Sequence, residues 1–198
     1  MKFAGHTMGT PGLSIFESMK LFSEIGFDGI EVRCAGDGQI NPEETDKKQI
    51  RKIVEEKESL GIEIACLTPY YRDFISPKKR NAEIEGFKRV IQIASELDCR
   101  RVRAYGGMWP YPNISRSKAW LMTIEAMKKI CAYAEEYGVY ICIENHPGTL
   151  TETAAQTVTF VEQVSSEFVK ILYDQANIES VRGENFLEAI RLQREYIY

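Results

Sequence analysis

One phrase recurs along the chain and constrains its fold more than any other feature. A short run of β-branched and aliphatic residues leads into a polar loop. A stretch of helical periodicity follows, closed by a glycine or another breaker. Runs of about 4–8 such residues, apolar on both faces, mark strands of a parallel sheet covered by helices. The pattern predicts strands at 2–6, 29–33, 62–67, 101–105, 139–143 and 169–173. It predicts helices at 14–25, from Pro42 or Glu43 to Leu60, at 81–97, up to Tyr137, at 153–164 and at 184–195. Leu13, Phe16, Met19, Leu21 and Phe22 supply the apolar stripe of the first helix. Tyr196-Ile197-Tyr198 reads as the opening of a seventh strand.

Two α/β architectures have this rhythm, an open doubly wound sheet and a (β/α)8 barrel. The doubly wound sheet calls for a glycine-rich fingerprint after its first strand. Here that turn reads His6-Thr7-Met8-Gly9-Thr10-Pro11-Gly12, and no phosphate-binding GxxxxGK[ST] loop occurs. The expected fold class is therefore α/β of the (β/α)8 TIM-barrel type. An ordinary barrel takes about 250 residues. At 198 residues the chain is expected to hold about six units and the start of strand seven, and so to be incomplete. No linker or low-complexity segment divides it, so residues 1–198 read as a single domain.

Composition narrows the function classes. Twenty-five basic and 29 acidic side chains leave a net charge of −4, which offers no global attraction to nucleic acid or an anionic membrane. No apolar run approaches the ~18 residues of a membrane span. The amino terminus lacks the apolar core of a signal peptide, and a cytoplasmic location is expected. The five cysteines, Cys34, Cys66, Cys99, Cys131 and Cys142, form no CxxC pair. They read as small buried residues of a reducing compartment.

In parallel α/β folds chemistry sits at the carboxyl ends of the strands. The polar residues that end the apolar runs are His6, Glu31 with Arg33, the 68–70 turn, Arg103 with Tyr105, Glu144-Asn145-His146, and Asp174 with Asn177. Glu144 and Asp174 each follow five residues of strand. A desolvated carboxylate there needs a cation or hydrogen-bond donors. Two of them on adjacent strands could chelate one oxygen-preferring divalent metal. The competing reading is that each caps a loop or pairs with an arginine. Arg103 could equally bind a sugar oxygen or phosphate or form a structural ion pair. Trp109, Tyr70 and Tyr71 lie in loops at the expected mouth and serve either stacking or local packing.

Glu144-Asn145-His146-Pro147-Gly148, then Thr153 and a helix, then Tyr173-Asp174-Gln175-Ala176-Asn177, resembles the xylose isomerase-like TIM barrels. This is the sugar phosphate isomerase/epimerase superfamily, related to AP endonuclease family 2. Gly26-Phe27-Asp28-Gly29-Ile30-Glu31-Val32-Arg33 looks like the family's second strand, and Gly61-Ile62-Glu63-Ile64 like its third. The resemblance implies a metal held by a Glu ending strand five, an Asp ending strand six, a His on strand seven and a Glu ending strand eight. Glu144 and Asp174 match the first two; the others would lie beyond Tyr198. Asn177 stands where many members have a histidine.

The chemistry implied is metal-dependent isomerisation or epimerisation of a sugar or sugar phosphate. Glu144 would be base and ligand, abstracting a proton beside a carbonyl to give a metal-stabilised enediolate. Asp174 would be a ligand, and His6, Glu31, Arg103, His146 and Asn177 would bind substrate. Mn2+ or Mg2+ is the expected metal, with Zn2+ admissible. The partner would be a small-molecule sugar, with no nucleic acid or membrane, and self-association as a homo-oligomer is open. The isolated chain is expected to be inactive for want of two ligands. An inosose-type dehydratase and a non-catalytic sugar-binding remnant stay open beside the isomerase. An endonuclease IV-type nuclease would need many histidines, and the chain has two.

Overall fold

The computed structural model describes residues 1–198. Six strands form one parallel sheet: β1 (Ala4–His6), β2 (Gly29–Cys34), β3 (Glu63–Pro69), β4 (Arg101–Tyr105), β5 (Tyr140–Glu144) and β6 (Val169–Leu172). Their spatial order follows the chain from β1 to β6. A doubly wound sheet reverses its order at a switch point; this one does not, and it is the wall of a (β/α)8 barrel, six units long. A parallel bridge between Ile171 and Ile197 starts a seventh strand, with the Ile171 N–H donating to Tyr196 O at 2.8 Å.

The helices are α1 (Ile15–Glu24), α2 (Lys47–Leu60), α3 (Arg80–Glu96), α4 (Arg116–Glu136), α5 (Ala154–Val164), α6 (Gln175–Ser180) and α7 (Phe186–Gln193). Side-chain caps set the start of every helix but α3. Ser14 with Glu17, and Thr153 with Gln156, form reciprocal capping boxes that satisfy otherwise orphaned amides. Gly61, at φ +63°, ends α2 in the left-handed conformation.

Three sequence expectations are corrected. Helix α2 begins at Lys47 rather than near Pro42. Asn41 Oδ1 accepts the Glu43 N–H at 3.1 Å, which makes a turn, and Asp46 Oδ1 accepts the Gln49 N–H at 2.7 Å, which makes the cap. Helix α6 was not expected. In α1, Ile15, Ser18, Met19 and Phe22 are buried, whereas Leu13 and Leu21 are 36% and 37% exposed.

The strands also differ from expectation in being apolar on one face only where it matters most. β2 and β4 alternate strictly, as Ile30-Glu31-Val32-Arg33 and Arg101-Val102-Arg103-Ala104. The outward set, including Ile30, Val32, Val102, Ala104, Ile141, Ile143 and Ile171, joins Met19, Ile53, Phe87, Met127 and Phe160 from the helices in one 37-residue core. Burying each large aliphatic side chain is worth about 1.5–3 kcal/mol, so this outer layer carries the folding energy. The opposite parity then holds Glu31, Arg33, Arg101, Arg103 and Glu144 on the barrel axis. All five cysteines are buried and free of disulfides. Burial pushes the Cys131 and Cys142 thiols up to about 12 and Cys99 up to about 11. No helix is long and apolar enough to cross a membrane.

Candidate functional site

β4 and β5 run in register, Arg103 beside Cys142 and Tyr105 beside Glu144. This pairing brings Glu144 against Arg103. The Glu144 side chain is 9% exposed, and its Oε2 accepts from an Arg103 terminal nitrogen at 3.0 Å. Its Oε1 has only the Asn177 amide, at a long 3.4 Å. Burial pushes the Glu144 carboxyl above its ordinary range, with Arg103 and His146 opposing. Arg103 also donates to Tyr105 Oη at 2.6 Å and to the Pro69 carbonyl at 2.8 Å. Its Nε is buried without a partner. The Tyr70 and Tyr105 rings stack on its guanidinium at 4.8 and 4.2 Å. Gly106 lets the β5–α5 loop close on this layer. A Cβ there would sit 2.2 Å from Thr151 Cγ2, and the Thr151 hydroxyl donates to the Glu144 carbonyl at 3.1 Å.

Asp174 follows β6 and caps α6, its Oδ1 accepting the Asn177 N–H at 2.9 Å. Asn145, fully buried, ties this end to β5. Its Nδ2 donates to Asp174 O at 2.8 Å, and its Oδ1 accepts the Asp174 N–H at 3.1 Å. His146 places Nδ1 2.7 Å from Pro147 O. A carbonyl oxygen only accepts, so that contact places a proton on Nδ1; Nε2 has no partner. The ring meets Tyr105 edge-on at 5.0 Å.

The structure thus gathers Glu144, Arg103, Asp174, Asn177 and His146 at one mouth. His6 ends β1, but both its nitrogens are engaged. Nδ1 accepts the Met8 N–H at 2.9 Å, and Nε2 lies 3.1 Å from Thr68 Oγ1, whose hydroxyl donates to Val32 O. Burial, then Arg103 and Arg33, hold His6 below its ordinary pKa. Glu31 lies level with His6, deeper than Arg33 in the register. It lines a cavity of about 480 Å³ that opens at the amino ends of the strands, with Arg101 and Tyr198. Burial raises its pKa, and Arg103 lowers it. Glu144, Arg103, Asp174, Asn177 and His146 do not line that cavity.

Of the two readings, the hydrogen bonds show the pairing and the cap: Glu144 pairs with an arginine and Asp174 caps a helix, and each retains a free or weakly held oxygen. Those oxygens fit two positions in the shell of a hard divalent cation. No group of three or more His, Cys, Asp or Glu side chains is placed to hold a metal, so the pair alone is an incomplete shell. Asn145, Tyr105 and Tyr70 stand among the strand-end and loop residues read from the sequence, but their partners Asp174 and Arg103 do not follow from it. Only strand parity, which puts Tyr105 on the face of Arg103, signals any of these pairings.

Residues 19–198 match the family described as xylose isomerase-like TIM barrel. An uncharacterized protein of Methanocaldococcus jannaschii is 26% identical, over 88% of this chain and 60% of its own length. The D-psicose 3-epimerase of Agrobacterium fabrum is 25% identical, over 85% of this chain and 60% of its own. The chain therefore spans about 60% of the length of these curated relatives. Among solved structures, a D-psicose 3-epimerase in the presence of D-fructose aligns with TM-score 0.84 and 19% identity, over 100% of this chain and 71% of that one. The probable 3-DHS dehydratase of Bacillus anthracis aligns with TM-score 0.83 and 20% identity, over 100% and 71%. An IOLI protein with a binding zinc atom aligns with TM-score 0.81 and 21% identity, over 96% and 68%.

Proposed function

The chain belongs to the xylose isomerase-like TIM-barrel family, and on that premise we propose that Glu144 is the general base of a sugar isomerase or epimerase. The observation that carries the reading is the asymmetry of its carboxylate. Arg103 holds Oε2, burial raises basicity, and Oε1 is left toward the mouth. Oε1 takes the proton from a carbon beside a carbonyl. The C–H electron pair becomes the new carbon–carbon π bond, and the carbonyl oxygen takes the negative charge. A base with a raised pKa is the stronger acceptor at neutral pH, and Arg103 balances the charge before transfer. His146 Nε2 hydrogen-bonds a substrate hydroxyl. Asn145 holds Asp174 beside Glu144. A divalent cation, Mn2+ or Mg2+ with Zn2+ admissible, held by Glu144, Asp174 and further ligands would polarise the carbonyl. Loss of water from the same carbanion is the second reading, favoured by the likeness to the 3-DHS dehydratase.

The chain has two histidines, so their ring protons can be resolved in a proton NMR spectrum. Mn2+ added in steps is expected to broaden His146 before His6, and Glu144→Gln or Asp174→Asn to abolish that preference. Equal broadening of both rings, or a preference untouched by both substitutions, overturns the ligand assignment. The 198-residue chain is not expected to turn over D-fructose by itself, because Glu144 and Asp174 are two ligands of an incomplete shell. In a protein supplied with the remaining barrel strands, Glu144→Gln is expected to cost about 10²–10⁴ in kcat. Normal turnover by that variant overturns the base assignment.

A further inference from the structure

The mouth carries a feature that proton abstraction does not use. Three arginines and two tyrosines stack alternately. Arg33 lies over Tyr70 at 5.2 Å, Arg103 over Tyr70 and Tyr105 at 4.8 and 4.2 Å, and Arg72 over Tyr105 at 5.9 Å. Such contacts fix a guanidinium through its face and leave its in-plane N–H donors available.

Those donors are spent unequally. Arg33 gives its own to Asp37, at 2.6 Å to the carboxylate and 2.9 Å to the carbonyl. Arg103 is committed to Glu144, Tyr105 and Pro69. The Arg72 guanidinium is exposed and has neither a hydrogen bond nor an ion pair. The backbone beneath it is nevertheless pinned. Glu83 Oε2, in the first turn of α3, accepts the N–H of Arg72 at 2.6 Å and of Asp73 at 3.0 Å. The result is one uncompensated cation on an anchored loop, resting on the same ring as the arginine that grips Glu144. The two guanidiniums lie 5.9 and 4.2 Å from the centroid of that ring.

We propose that Arg72 is an anion-binding residue of this mouth and that the substrate is an anionic polyol, its phosphate or carboxylate taken by the Arg72 fork. The inference rests on the reading of the mouth as the reaction site and names its substrate class. Planar guanidinium donors match both groups in pairs.

The test is equilibrium binding, which needs no turnover. The chain is titrated calorimetrically with D-fructose, D-fructose 6-phosphate and D-glucuronate. At least one anion is expected to bind ten-fold or more tighter than neutral D-fructose, and more weakly as salt rises. Arg72→Ala is expected to remove about ten-fold or more of that preference, and Arg72→Lys to restore part. Arg51→Ala, at an exposed site on α2, is expected to change nothing. Preference for the phosphate alone or for the carboxylate alone identifies the source of the charge. Anions that bind no tighter than D-fructose, or a preference that survives Arg72→Ala, overturn the proposal. The Mn2+ titration reads Glu144 and Asp174, and the anion titration reads Arg72, so either reading can fail without the other.

Discussion

Arg103 and Glu144 show how a charged pair survives inside a small barrel. Both side chains are under a tenth exposed, so each has lost its water. The Coulomb attraction, two tyrosine faces and the Pro69 carbonyl replace it. Removing one partner leaves the other buried and uncompensated, which costs about 3–5 kcal/mol, whereas replacing both by apolar groups is often near neutral. Arg103→Met and Glu144→Met are each expected to destabilise by about that amount in urea unfolding. The double variant is expected to recover much of the loss, short of the ~1–3 kcal/mol set by the abandoned Pro69 carbonyl and Tyr105 hydroxyl. Additive losses would show that the two residues are not coupled. The positions of Glu144 and Asp174 at strand ends were legible in the sequence, because each is an acid that closes a largely apolar run. Their partners were not. Arg103 meets Glu144 through β4–β5 register, and Asn145 reaches Asp174 from the end of β5 to that of its neighbour β6; sequence spacing encodes neither.

Periodicity marks the helices, and Gly26, Gly61 and Gly138 follow α1, α2 and α4, but the start of α2 shows the limit of local signals. Pro42 suits a first helical turn, and the charged residues after it are good helix formers. Asn41 and Asp46 compete to start the helix, and side-chain geometry decides between them. Asn41 bonds two residues ahead and makes a turn, while Asp46 bonds three ahead and makes a cap. Asp46→Ala is therefore expected to cost about 0.5–2 kcal/mol. Pro42→Ala is expected to leave the helical circular-dichroism signal unchanged, since residue 42 lies outside α2. A drop in helicity from the Pro42 variant with none from the Asp46 variant would place the helix start where the sequence suggested. Helix α6 has the same origin: Asp174, a candidate metal ligand by its place after β6, also caps the six residues that follow.

At the scale of the molecule the parallel sheet was legible and its polar axis was not. Strands buried on both sides usually read as continuous apolar runs, and β5 does. β2 and β4 put charges on the axis because the outer layer of helices already supplies the apolar contact. That arrangement leaves two weakly covered flanks. β1 pairs only with β2, and β6 pairs with β5 and, through one bridge, with Ile197. Phe3 beside β1 is 59% exposed, and on α7 Leu187, Ile190 and Leu192 are 50%, 41% and 49% exposed. Unpaired strand edges flanked by apolar side chains invite pairing with another chain, and a net charge of −4 resists it weakly. Sedimentation velocity is expected to show association that grows from micromolar to tens of micromolar protein. Salt should have little effect on it, because the contact is apolar and not ionic. Leu187→Lys with Ile190→Lys is expected to shift the equilibrium toward monomer while leaving the circular-dichroism spectrum intact, since both side chains already face solvent. A species that stays monomeric across that range, or association that the double variant does not weaken, would show that the α7 flank is not the surface involved.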